Sequence, residues 1–136
     1  MAASVIVDAS FLISLLSRSD SNHRWAAEQA RLFPPPWKTC EFALSEAFHL
    51  LGSRGGPSLG ALLRREAVAV AFRLDDSLEA VLRLMRKYSD VPMSFADACL
   101  VRMTETLNDP ILLTTDTDFR IYRRHSRQAI PCALPR

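Results

Sequence analysis

The chain has 136 residues, enough for one globular core and too few for two independent ones. Hydrophobic residues make up 49%, aromatic residues 8% and charged residues 24%, which excludes a disordered or fibrous protein. Seventeen basic residues against fifteen acidic ones leave +2, a near balance that on its face argues against a strong nucleic-acid binder, although every basic residue except Lys38 and Lys87 is Arg.

Val5, Ile6 and Val7 form a β-branched run ending at Asp8, as expected for a strand buried on both faces. Phe11, Leu12, Leu15 and Leu16 then recur at helical spacing, with Ser10 as a candidate cap. After a polar break, a second helix runs through Trp25, Gln29 and Leu32 until three prolines at 34–36 stop it. A third helix is expected to begin near Thr39, with Leu44, Ala47, Phe48 and Leu51 as its apolar stripe and Gly52 as its end. The four glycines at 52, 55, 56 and 60 predict an exposed loop, followed by a short helix over 59–65 and a second strand over 67–74. Asp76 and Glu79 resemble a capping box for a helix carrying Leu78, Val81, Leu82 and Met85 to about Tyr88. Pro92 breaks the chain, and Ser94 opens a helix to about Thr106. Residues 111–115 form the third clear strand, leading to Asp116; a helical turn over 119–124 and a weak strand over 129–133 complete the pattern. Strands alternating with amphipathic helices predict an α/β domain with a mostly parallel sheet.

Several chemistries are excluded. The longest apolar run, residues 67–72, is far short of a membrane helix, and the N-terminus lacks the positive region of a secretory signal. Cys40, Cys99 and Cys132 are odd in number and widely spaced, so they read as buried hydrophobes of a cytoplasmic protein rather than a disulfide or zinc framework. No glycine follows the first strand and no Gly-Lys-Ser/Thr occurs, which excludes dinucleotide and P-loop nucleotide sites. His23, His49 and His125 are isolated, and no serine lies in a nucleophile elbow.

Carboxylates remain. Asp8 and Asp116 each follow a hydrophobic strand, where α/β sheets form their ligand crevice, but an Asp there equally caps the next helix. Asp97 lies three residues after Ser94 and fits a capping box as well as a site. Glu46 sits at the edge of an apolar stripe, either with its head in water or with a partner. An all-oxygen set of this kind suits Mg²⁺ or Mn²⁺ rather than zinc.

Val5-Ile6-Val7-Asp8-Ala9-Ser10, Leu44-Ser45-Glu46, Phe95-Ala96-Asp97-Ala98 and Leu113-Thr114-Thr115-Asp116-Thr117-Asp118-Phe119 resemble the four successive motifs of PIN domains, most closely the short ribonucleases of the VapC toxin type. The likeness runs in the family's order from about residue 5 to residue 131. It implies a single PIN-like domain over 1–136, a three-layer α/β/α fold with a central mostly parallel sheet. Asp8, Glu46, Asp97 and Asp116 match the four acidic positions, Asp8 and Asp97 as principal metal ligands, with Thr114, Asp118 and Ser10 in support. The implied activity is a Mg²⁺- or Mn²⁺-dependent endoribonuclease acting on single-stranded or structured RNA through metal-activated water. The implied partners are a cognate antitoxin and a second copy of the chain, with no membrane.

Arg120, Arg123 and Arg124 directly follow the last acidic motif and are expected to hold substrate phosphates, whereas Arg64, Arg65, Arg83, Arg86 and Lys87 read as solvated helix faces. Phe11, Leu15, Trp25 and Leu32 are either antitoxin-facing or plain core. Two competing readings are a non-catalytic PIN-like module that binds RNA or protein, and a receiver-like signalling domain, which fits poorly because neither Lys follows a late strand. If the four acids share one pocket, seventeen basic residues face only eleven other acids, and the near balance conceals a partition.

Overall fold

The computed structural model describes residues 2–136. In chain order the elements are β1 (Ser4–Val7), α1 (Ala9–Leu16), α2 (His23–Leu32), β2 (Trp37–Thr39), α3 (Glu41–Arg64), β3 (Val68–Val70), α4 (Leu74–Lys87), α5 (Phe95–Thr106), β4 (Pro110–Leu113), a 3-10 turn (Thr117–Arg120), β5 (Arg123–Arg124), β6 (Gln128–Ala129) and β7 (Cys132–Ala133). Five strands form one sheet in the order β3-β2-β1-β4-β7, with every neighbouring pair parallel. The expected parallel α/β architecture is present.

Side-chain alternation along the central strands builds three layers. Val5, Val7 and Leu113 point to one face, where they pack with Phe11 and Leu12 of α1, Ala26 of α2, and Leu44, Ala47, Leu59 and Leu62 of α3. Ile6 and Leu112 point to the other, against Val81 of α4, Ala98 and Met103 of α5, and Tyr122. A period of two on strands buried from both sides dictates this split. The chain lays down β1, β2 and β3 in one direction, then returns to place β4 on the opposite side of β1. That reversal opens a crevice at the carboxyl ends of β1 and β4, the usual ligand position in such sheets.

Several local expectations are corrected. The residues taken as a glycine loop are helical: α3 continues past Gly52, which forms a break at φ +64° and ψ −161°, a region essentially confined to glycine. Leu59 and Leu62, at helical spacing, are buried against the sheet, and that burial outweighs glycine's penalty of about 1 kcal/mol per residue. Gly55 lies so close to Leu51 that an added Cβ would sit 2.8 Å from its Cδ2. Thr39 closes strand β2 instead of opening a helix, and its Oγ1 donates to the Val7 carbonyl at 2.7 Å. A three-residue strand after a triple proline is too short to leave a periodic signal. The strand expected over 67–74 is only three residues long because it is an edge strand with β2 as its single partner.

Asp76 does not cap α4, which begins at Leu74; it pairs with Arg73 on the surface at 3.4 Å, and Leu78 and Leu82 face solvent. The segment expected as one helical turn over 119–124 divides into the 3-10 turn and β5. The final strand is also two: β6 pairs antiparallel with β5, and β7 joins β4 after Pro131. Phe11 is fully buried, edge-on to Trp25 and Trp37, while Leu15 and Trp25 are half-buried and Leu32 is exposed. Of the apolar residues considered for a partner surface, Phe11 is therefore core. Cys40 and Cys99 are buried, Cys132 is half-buried, and all three thiols are free. Among the described residues, no helix is long and apolar enough to cross a membrane.

Candidate functional site

Asp8, Glu46, Asp97 and Asp116 line a single small cavity of about 70 Å³ at the β1–β4 crevice, together with Ser10. Asp8 follows the last residue of β1 and caps α1, its Oδ1 accepting from the Phe11 amide at 3.0 Å. Ser10, read from sequence as the cap, instead holds the cap in place: its Oγ donates to Asp8 Oδ1 at 2.6 Å and accepts from the Thr115 amide at 3.0 Å. Thr114 Oγ1 donates to Asp8 Oδ2 at 2.5 Å and accepts from the Asp116 amide at 3.0 Å. The two strand ends are thus stitched together by hydroxyls beneath the cavity.

Asp97 arrives from the opposite layer. Ser94 and Asp97 form the expected capping box, the Asp97 amide donating to Ser94 Oγ at 3.0 Å and the Ser94 amide to Asp97 Oδ2 at 3.4 Å. Tyr122, fully buried, donates its hydroxyl to the same Oδ2 at 3.2 Å, its ring held edge-on by Tyr88 and Phe119. Sequence reasoning missed Tyr122, since nothing in the spacing of 97 and 122 signals the contact. Asp116 caps the 3-10 turn, its Oδ1 accepting from the Asp118 amide at 2.9 Å. Asp118 supports through that amide and does not line the cavity. Glu46 stands on the first segment of α3, its backbone set by buried Ala43, Leu44 and Ala47 and its side chain exposed at the cavity edge.

Capping and site formation are therefore the same arrangement. Each Asp commits oxygen to a helix or turn start while its carboxylate borders the cavity, and the amino-terminal ends of α1 and α5 contribute positive dipole ends. Burial pushes the Asp8 carboxyl up to about 6, against the hydrogen bonds from Ser10, Thr114 and Phe11, and the charge of Asp116 adds to the rise. Burial also raises Asp97, again with a contribution from Asp116. Tyr122 is raised by burial and by Asp97's charge, which keeps its phenol protonated as a donor.

The donor set is all oxygen, negatively charged and mutually repelling, and it fits a hard divalent cation. About 70 Å³ gives room for an ion with water. Among the described residues, no three His, Cys, Asp or Glu side chains already close on one point, so the acids border a common space without chelating geometry.

The expected phosphate contacts are placed differently from one another. Arg120 is exposed beside the pocket turn. Arg123 Nη1 donates to the carbonyls of Arg120, Ile121 and Tyr122 at 2.7, 3.3 and 3.0 Å, pinning the chain after the turn. Arg124 Nη2 donates to the Thr104 carbonyl near the far end of α5, and its Nε is buried without a partner. None of the three lines the acidic cavity.

The sequence model of the PIN domain matches residues 5–124. The crystal structure of Mycobacterium tuberculosis VapC20, described as a Sarcin-Ricin loop cleaving toxin, is similar with a TM-score of 0.71 at 25% identity. The alignment covers 85% of this chain and 92% of that one. No curated protein sequence matches significantly.

Proposed function

This chain belongs to the PIN domain family, and from that premise we propose that it is a divalent-metal-dependent endoribonuclease acting at the carboxylate cavity, as the toxin of a toxin–antitoxin pair. The observation that carries the proposal is the meeting of Asp8, Glu46, Asp97 and Asp116, from four separate segments, at one crevice on the strand ends. The toxin role is supported by the likeness to VapC20.

Asp8, Asp97, Asp116 and Glu46 would hold Mg²⁺ or Mn²⁺, which when bound supplies charge neutralisation at the phosphodiester and lowers the pKa of the attacking water. Asp8 is rigid, since Ser10, Thr114 and the Phe11 amide fix both of its oxygens. Asp97 Oδ2 is fixed by Tyr122 and Ser94, leaving Oδ1 for the cavity. Asp116 likewise presents Oδ2 once Oδ1 has accepted the Asp118 amide. Rigid carboxylates need no reorganisation when charge develops in the reaction. Hydrolysis adds water across one P–O bond of the RNA, leaving a phosphate monoester and a hydroxyl.

The test is incubation of the purified chain with RNA in Mg²⁺, Mn²⁺ or EDTA, beside Asp8→Asn and Asp97→Asn. Metal-dependent cleavage by the wild type alone is expected. Equal cleavage by the wild type and both variants would overturn the assignment. An antitoxin and self-association belong to the same proposal: co-expression with a neighbouring small open reading frame should yield a complex without nuclease activity, and light scattering should give twice the monomer mass.

A further inference from the structure

Outside the acidic crevice, a second cavity of about 380 Å³ lies between α4, α5 and the turn joining β5 to β6. Arg83 and Lys87 form its α4 wall, one turn apart on the same helix face. Arg102 and Glu105 of α5 form the opposite wall, and His125 and Ser126 of the turn close the end. The sole carboxylate here is already engaged: Glu105 Oε1 pairs with Arg102 Nη1 at 3.1 Å, and its Oε2 accepts from the His125 amide at 2.7 Å. Lys87 Nζ donates to the Ser126 carbonyl at 3.0 Å, which joins helix and turn. Among the described residues, no acidic side chain lies within ion-pair distance of Arg83 or Lys87. His125 and Ser126 have φ of +48° and +69°, positions where glycine would be free of strain and the chain carries polar side chains instead.

Two like charges at i and i+4 destabilise a helix unless something neutralises them. The fold brings that pair, a third cation on α5 and an imidazole around a space within the size range of small-ligand pockets. We propose that this cavity is an anion subsite that holds a backbone phosphate of the RNA substrate away from the cleaved bond. Arg102 is positioned by Glu105 and by Ser77, whose Oγ accepts from Arg102 Nε at 3.0 Å, so its guanidinium is preorganised. Arg83 supplies a mobile cation, and Lys87 one tethered through the Ser126 carbonyl at the cavity end. Glu105 lies eight residues beyond Asp97 on α5, about 12 Å along the axis at 1.5 Å per residue. A phosphate held here therefore belongs to a different nucleotide from the one at the carboxylates, and the subsite selects RNA long or folded enough to span both. The inference rests on the endoribonuclease proposal for the substrate class, not for the anion site itself.

The test compares the wild type with Arg83→Gln/Lys87→Gln and with the charge-preserving Arg83→Lys/Lys87→Arg. Binding of a folded RNA is measured in EDTA by fluorescence anisotropy across a salt series. Inorganic phosphate and a mononucleotide are titrated separately, with chemical shifts read at residues 83, 87, 105 and 125. Expected are about tenfold weaker RNA binding by the neutral variant, a salt slope shallower by about 0.7–0.9 for the one phosphate no longer neutralised, and near wild-type binding by the charge-preserving one. In cleavage, KM should rise about tenfold with kcat within about twofold. Unchanged RNA affinity and slope in the neutral variant would overturn the subsite, including when free phosphate or an acidic protein binds there. A fall in kcat at constant KM would also overturn it. Should the wild type cleave no RNA in any divalent ion while the binding loss persists, the endoribonuclease proposal fails and the anion subsite stands.

Discussion

The acidic crevice and the basic cavity handle like charge in opposite ways. At the crevice, Asp8 is buried and hydrogen-bonded on both oxygens, and Asp97 and Asp116 each have one oxygen fixed by a cap. At the basic cavity, Arg83 and Lys87 are exposed: Arg83 is loosely held, Lys87 is tied to the Ser126 carbonyl by one bond, and Arg102 is fixed by Ser77 and Glu105. Burial strengthens electrostatic interaction and makes geometry stiff, which suits the proposed cleavage site; exposure screens charge and leaves it adaptable, which suits the proposed phosphate subsite. The acids destabilise the metal-free fold, whereas the cations cost little.

The largest expected effect breaks the crevice alone. Asp8→Asn and Asp97→Asn should each lower RNA cleavage by about 10²–10³-fold while anisotropy shows RNA binding nearly unchanged, because the cations remain. Next comes pH. The Asp8 pKa rises from 3.8 to about 6 on folding, so the native state holds a proton that the unfolded state has released. Stability without metal should therefore be greater near pH 4 and fall as pH rises through 6, by up to about 3 kcal/mol. Urea unfolding in EDTA at pH 4 and pH 7.5 measures this, and Asp8→Asn should flatten the profile.

Divalent ions should reverse part of that loss. At about ten times Kd, Mg²⁺ or Mn²⁺ contributes about 1.4 kcal/mol, a rise in Tm of about 4 °C by calorimetry that Asp8→Asn should abolish. Tyr122→Phe removes one hydrogen bond to Asp97 and should reduce stability by about 1 kcal/mol, with several-fold weaker metal binding by calorimetric titration. The smallest effect sharpens the contrast from the other side: Arg83→Gln relieves the repulsion with Lys87 and should stabilise the fold by about 0.3 kcal/mol in urea unfolding.

Much of this was legible in the chain because it is local. Val5 to Val7 and Ile111 to Leu113 are apolar enough to mark buried strands, and Asp8 and Asp116 follow them at once. The Ser94–Asp97 box is a four-residue pattern and formed as expected. The glycine stretch misled, because local flexibility suggests a loop whereas packing of Leu59 and Leu62 against the sheet makes a helix. Strand β2 was invisible, since three residues after prolines acquire strand character only from partners on both sides.

The acidic residues themselves raised a question that sequence could not answer, whether Asp8, Asp97 and Asp116 are caps or site residues. In the tertiary structure the three caps line one cavity, since strand order places β1 beside β4 and α5 runs its amino-terminal end to the same crevice. Tyr122 over Asp97 and Arg83 across from Glu105 are likewise products of chain crossing, separated by more than twenty residues. Sequence by itself determined the alternating α/β pattern and the all-oxygen donor set, because hydrophobic period and donor type are properties of neighbouring residues, while the likeness to the PIN motifs singled out the four acids. Only the tertiary structure decided which charges meet, since convergence depends on strand order and helix packing, and those minimise buried polar loss over the whole chain rather than within any one segment.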